Sequence, residues 1–393
     1  MIYILIIVLL LFMSFRYDVC GKRRGRDQWY IFFLVVFVLI AGLRWRLGVD
    51  TPYYIQNFYY STPKLDHLSI TDIQITKPLW ILLNSFVLTY IGKFYVVQLI
   101  HAAFINILFF KYIRRHSDYI FTCLFFYFIF MYTNQNMEEM KASMSVAICL
   151  YANDYIMEKK WIRAYLLYIF ASLFHVSAYL LFITPLFLLL RFNKWGLIAL
   201  ALSFFMGYWL QMSIGDYVTI FDMADESIDN RINVYLDNER YLDQKGNIFY
   251  FIVRIIPVLL YALVSLKFLK SRNGNHKLLQ LEPFLFIGLV FLMMQMSMQI
   301  FYRLVHFYSI YFVLFFSETF IFLIREKSRG QRGFAYVKSF VLFLPFILST
   351  LYGYRDKYVR YYPYSSVIER SVDRDREIHY SNCYRPSPNK YQY

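Results

Sequence analysis

Apolar runs recur from one end of this chain to the other, separated by short links that hold most of its basic residues. That pattern limits the possible folds more than any single motif. A helix needs about 20 apolar residues to cross a bilayer. In lipid, its backbone polar groups must be satisfied within the segment. The sequence therefore predicts an all-α, polytopic transmembrane helical bundle with about 12 (roughly 10 to 13) membrane segments. The composition agrees, with 59% hydrophobic and only 17% charged residues. The net charge of +15 does not point to nucleic acid. The cations sit in short links, where topology signals belong.

The links also assign sides. Arg16 to Gln28 carries Arg16, Lys22, Arg23, Arg24 and Arg26 against Asp18 and Asp27. The positive-inside rule makes this link cytoplasmic and places the N-terminus outside. Met1 to Phe15 reads as a first span, because no basic n-region or small-residue cleavage site marks a removed signal peptide. Pro78 to Ile113 is too long for one simple crossing and is broken at Gly92-Lys93. It is either one net crossing with a re-entrant or interfacial first part, or a hairpin of two short spans. The basic link Lys111 to His116 favours one net crossing. Trp161 to Leu190 would be about 45 Å long as a single helix. It reads as two short spans turning near Phe174, His175 and Ser177. The acidic stretch Ser213 to Asn247 reads as an outer loop domain. The division expected is a transmembrane domain over 1–352 and a polar, partly disordered tail over 353–393.

Gly42 to Tyr54, GLRWRLGVDTPYY, places Arg44, Arg46 and Asp50 where the second span meets water. Two readings stand. The arginines clamp an anionic substrate beside a carboxylate, or they snorkel to the interface and Asp50 screens them. On this topology Glu138, Glu139, Lys141, His175, Arg231, Arg240, Arg254, Arg303 and His306 fall at the same outer depth. Arg binds phosphate oxygens bidentately and Lys acts as a point charge. Arg44, Arg46, Lys141, Arg254 and Arg303 are thus candidates to hold a pyrophosphate. His175, Asp50 and Glu138 are candidates to accept a proton from a sugar hydroxyl. The plainer readings are that Glu138 and Glu139 solvate a turn and that His306 is structural. Arg254 is harder to dismiss, because its span offers no Asp or Glu. Cys20, Cys123, Cys149 and Cys383 form no CxxC pair and have no metal-ligand spacing. No Walker A or HExxH motif occurs. No metal or cofactor is expected.

Three stretches, in this order, resemble the EpsG family of Wzy-like polysaccharide polymerases. The first is RWRLGVDTPYY, Arg44 to Tyr54. The second is NMEEMKASMSVAICLYANDYIMEKK followed by ASLFHVSAYL, with Ala171 to Ser177 matching a small-x-x-Phe-His-x-Ser signature. The third is FYRLVHFY, Phe301 to Tyr308, and the run Tyr361 to Tyr364 is similar to the family's aromatic ending. There is one departure: Lys141-Ala142 stands where the family has Arg-Gln. Charge is kept, but the bidentate fork is lost. The resemblance implies a chain-elongating glycosyltransferase of the bacterial inner membrane. Its substrates would be oligosaccharide repeat units on undecaprenyl pyrophosphate, joined on the periplasmic face. Its partners would be the lipid-linked oligosaccharide, the bilayer, and the flippase and chain-length regulator of the same pathway. The rivals are a transporter or flippase for lipid-linked sugar, and an O-antigen ligase-like transferase. Scarce glycine (14) and the lack of a visible repeat weigh against a transporter.

Overall fold

A computed structural model describes residues 2–69, 77–221, 255–271, 276–297, 301–325, 328–352 and 358–383. Arg231, Arg240 and Arg254, and all of the expected outer loop beyond 221, lie outside these. The described residues are all-helical, with one isolated antiparallel bridge between Arg44 and Ser366. The chain divides into two compact units, 1–182 with 350–393, and 183–349.

The first unit contains α1 (Ile2–Met13), α2 (Arg26–Gly42), the short α3 (Thr51–Gln56), α4 (Pro78–Tyr90), α5 (Phe94–His116), α6 (Ile120–Tyr127), α7 (Met140–Met157) and α8 (Trp161–Ser172). It is interrupted by π-helical turns at Ser14–Val19, Asn57–Ser61, Phe128–Tyr132 and Asn134–Glu138. Exposed Ile31, Phe32, Val35 and Leu39 form one face of α2, and buried Phe33, Phe37, Ile40 and Ala41 form the other. That is the helical spacing of a lipid-facing stripe opposite a packed one. Phe37 packs against Phe110, Phe128 and Tyr132, with ring centroids 4.8 to 5.6 Å apart. At Gly42, an added Cβ would come within 2.5 Å of the Leu99 side chain, so the bare backbone brings α2 close to α5. Between the helices, Asn106 bonds Asn136 (2.6 Å), and Asn136 donates to the Tyr127 hydroxyl (3.0 Å).

Two basic links meet at one end of this unit. Arg114 pairs with Asp27 (3.0 Å), and Arg115 and His116 converge on Asp154 (3.2 and 3.0 Å). The opposite end carries the C-terminus of α2, the N-termini of α4 and α7, and the turn after α8. The break expected at Gly92-Lys93 is where α4 ends and α5 begins, with Gly92 at φ +70°. The turn expected near His175 separates α8 from a 3-10 segment, Val176–Leu189.

The second unit is built from α9 (Lys194–Phe221), α10 (Ile256–Ser271), α11 (His276–Gln280), α12 (Glu282–Met294), α13 (Tyr302–Arg325) and α14 (Arg332–Tyr352), whose last residues fall in the first unit. Buried Glu282 takes Lys270 at 2.6 Å, as a carboxylate out of water requires. Gly288 lets α12 settle onto Tyr308 and Phe312 of α13.

Among the described residues, three helices are long and apolar enough to cross a bilayer: Ile2–Val19, Phe94–His116 and Tyr302–Arg325. Other apolar helices are shorter. The expected total of about 12 membrane segments exceeds what these helices establish. Many segments are short or interrupted, as at the π turns, at Gly92 and at Pro185.

The last described element of the tail is α15 (Arg374–Cys383), preceded by a 3-10 turn, Tyr358–Arg360. Residues 358–383 pack back onto the stretch after α2. Trp45 N–H donates to Ser365 O (2.8 Å), Val367 N–H to Leu43 O (2.8 Å) and Gly48 N–H to Arg360 O (3.0 Å). Arg376 is 1% exposed and donates to Val359 O and Pro363 O, which holds this piece together.

Candidate functional site

The stretch Gly42 to Tyr54 is the hub of the end of the first unit opposite the two basic links. Arg44 is fully enclosed. Its guanidinium donates to the carbonyls of Ala41, Leu47 (3.2 Å) and Met137 (3.3 Å), and lies 3.3 Å from Met140 Sδ. Met137 O also receives Thr51 Oγ1 at 3.4 Å. The π-helical turn at Asn134–Glu138 presents this carbonyl, and Glu139 then breaks the helix before α7. Gly48 has φ +92°, and an added Cβ there would lie 2.2 Å from Met137 O. Only glycine fits this contact.

Arg46 and Glu138 are both tied to the tail. Arg46 makes a two-pronged pair with Glu377 (Nε–Oε1 2.9 Å, Nη2–Oε2 2.5 Å), and its carbonyl accepts from the Tyr380 hydroxyl (2.8 Å). Burial pushes the Tyr380 phenol up, so it stays a donor at physiological pH. Glu138 pairs with Arg360 at 3.1 Å, and Arg360 also donates to His379 Nε2 (2.9 Å). Arg46 and Glu377 are each about one-third exposed (35% and 33%), so the pair contributes on the order of 1 kcal/mol or less. Arg46→Glu alone should lower thermal stability slightly in a fluorescence-detected melt, and Arg46→Glu with Glu377→Arg should restore it. A double variant no better than Arg46→Glu alone would contradict this pairing.

Beside the hub lies a cleft of ≈ 300 Å³. Its walls include Tyr53, Tyr54, Lys77, Trp80, Asn84 and Lys141. Lys141, in the first turn of α7, stands 5.3 Å over the Tyr54 ring, and Tyr54 meets Trp80 at 5.6 Å. No carboxylate occurs among the described residues that line it. Asp50 precedes α3, which carries Tyr53 and Tyr54 into the wall, and it is half-buried. His175 reaches this neighbourhood through the backbone. Leu79 N–H donates to Leu173 O (3.1 Å), which fastens the turn after α8 to the first turn of α4. His175 Nδ1 accepts Ser177 N–H (3.3 Å) and lies 2.6 Å from Ser177 Oγ. Aromatic rings and lysines lining one cleft suit a sugar ring that carries an anionic group.

The structure thus gathers Arg44, Arg46, Asp50, Glu138 and Lys141 around one hub, with the His175 turn attached to it. Arg303 is half-buried in the first turn of α13, in the second unit. Arg254 lies outside the described residues. The residues missing from the sequence reading are Lys77 and Trp80 in the cleft and Arg360 and Glu377 in the tail. Trp80 carried a faint signal as an aromatic beside Pro78 at the start of an apolar run.

The family model of the EpsG family matches residues 28–366. The chain belongs to the EpsG family. The matched region holds every site residue expected from the sequence, and it reaches into the tail as far as Ser366, short of Glu377. No curated protein and no solved structure matches the chain. Family membership ties the protein to polysaccharide biosynthesis, and with the apolar helices it indicates a membrane protein.

Proposed function

We propose that this EpsG-family protein is a Wzy-like polymerase of the bacterial inner membrane. It joins undecaprenyl-pyrophosphate-linked oligosaccharide repeat units into a surface polysaccharide on the periplasmic face. The observation that carries the reading is the cleft, where Lys141 stands over Tyr54, Lys77 and Trp80 share the lining, and no described carboxylate occurs in it. In the reaction, an acceptor sugar hydroxyl attacks the anomeric carbon of the donor. The bond from that carbon to the pyrophosphate oxygen breaks, and the lipid pyrophosphate leaves with the electron pair. Lys141 and Lys77 would stabilise the charge that grows on it. Arg44, held by carbonyls, would act by fixing the hub rather than by touching the ligand. The hydroxyl proton would go to His175, with Asp50 as the second choice.

The base assignment has its own test. Gln keeps hydrogen-bond donor and acceptor groups but accepts no proton at neutral pH. His175→Gln and His175→Ala should both reach normal membrane abundance and yield only single-unit product. A normal glycan ladder from His175→Gln would refute the base role. The wider reading is tested by reconstitution. Purified protein in liposomes, given lipid-pyrophosphate-linked repeat units and no nucleotide sugar, should lengthen the glycan. Movement of the lipid-linked sugar across the bilayer without lengthening would favour a flippase.

A further inference from the structure

The helical segment from Thr51 to Ser61 has two lined faces. Tyr53, Tyr54, Asn57 and Phe58 border the cleft, whereas Ile55 and Tyr59, four residues apart, border a separate pocket of ≈ 150 Å³. This second pocket is lined chiefly by Trp45, Tyr59, Lys93, Phe94, Gln98 and Arg370. Four parts of the chain build it: the stretch after α2, the Thr51–Ser61 segment, the start of α5 with the turn before it, and the docked tail.

Its chemistry is specific. Gln98 is 2% exposed, and its Nε2 has no hydrogen-bond partner among the described residues. A buried amide donor left unsatisfied is costly unless something accepts from it. Arg370 lies over the Trp45 ring at 5.2 Å, and Lys93 is exposed at the rim. No carboxylate occurs among the described lining residues. Arg44 also borders the pocket, but its donors are taken by carbonyls. Aromatic rings, the cations Lys93 and Arg370 and an unsatisfied amide donor together match a sugar ring bearing a carboxylate. At ≈ 150 Å³ the pocket is about half the size of the cleft.

We propose that this pocket is a second saccharide subsite. It takes an acidic sugar of the glycan chain on the far side of the Thr51–Ser61 wall from the cleft. The proposal rests on reading the cleft as the place where the glycan is handled. The Gln98 amide donates to the sugar carboxylate, Arg370 and Lys93 balance its charge, and Trp45 and Tyr59 face the ring.

The test is photoaffinity mapping on the full-length protein in nanodiscs, with a diazirine-bearing glucuronic acid glycoside and the same probe built on glucose. The glucuronic acid probe should label the peptides holding Lys93 to Gln98 or Val367 to Arg370, and the glucose probe should not. Arg370→Ala, at an exposed position, and Gln98→Leu should each cut that labelling about tenfold, the scale of one lost hydrogen bond to a charged group. Lys141→Ala, in the cleft, should leave it in place. Unlabelled glucuronate should compete, and inorganic phosphate should compete poorly. Three results would overturn the proposal: labelling confined to peptides of the cleft, equal labelling by the glucose probe, or displacement by phosphate as easily as by glucuronate. The map needs no turnover. A negative map therefore leaves the polymerase reading standing, and a positive map survives if that reading fails.

Discussion

Lys141→Ala should abolish the glycan ladder while the protein still inserts at normal abundance. Lys141 is half-buried in the first turn of α7, over Tyr54 and across the cleft from Trp80. Losing a hydrogen bond to a charged group costs about 1.5–3 kcal/mol. In a transition state that is roughly 10- to 150-fold in rate. Chain growth compounds this deficit, because each long product needs many additions. Lys141→Arg keeps the charge and should retain a shortened ladder. Trp80→Ala removes an aromatic wall and should shorten it further. A wild-type ladder from Lys141→Ala would move the reaction out of this cleft.

Gly48→Ala should strongly reduce the amount of folded protein. Two costs combine at this position. The left-handed backbone, φ +92°, disfavours any Cβ. The added carbon would also meet Met137 O at 2.2 Å, and that atom is backbone held by Arg44 and Thr51. Strained dihedrals of this kind cost about 1–3 kcal/mol, and the clash adds to that. Gly92 separates the two terms. It has φ +70°, but the nearest atom to its added Cβ is Leu88 O at 3.9 Å. Gly92→Ala should therefore pay only the dihedral cost of about 1–2 kcal/mol. Fluorescence-detected size exclusion after a heat step measures both. Equal loss from the two variants would mean that the Met137 contact does not matter.

These two residues also show how far the sequence could be read. The apolar runs and Gly92-Lys93 mark helices and a break directly, because both are local. The GLRWRLGVDTPYY stretch announced itself through charge beside a span. Its side chains did not announce what they would touch. Arg44 looked like a ligand for an anion, but its donors end on the carbonyls of Ala41, Leu47 and Met137. A carbonyl leaves no mark in a sequence. Arg46 and Glu377 are 331 positions apart, and nothing local in a polar tail predicts such a pairing. Trp80 and Lys77 join Tyr54 and Lys141 only because three separate elements end at one level. The count of membrane crossings was legible only in part, since π turns and short helices blur the length rule that identifies spans.

The central claim is most directly tested in a strain lacking this protein. Its surface glycans, resolved by gel electrophoresis, should show the ladder gone and single-repeat product retained. The intact chain should restore the ladder, and the Lys141→Ala chain should not. Loss of all surface product, with lipid-linked repeat units accumulating inside, or an unchanged ladder would contradict the account.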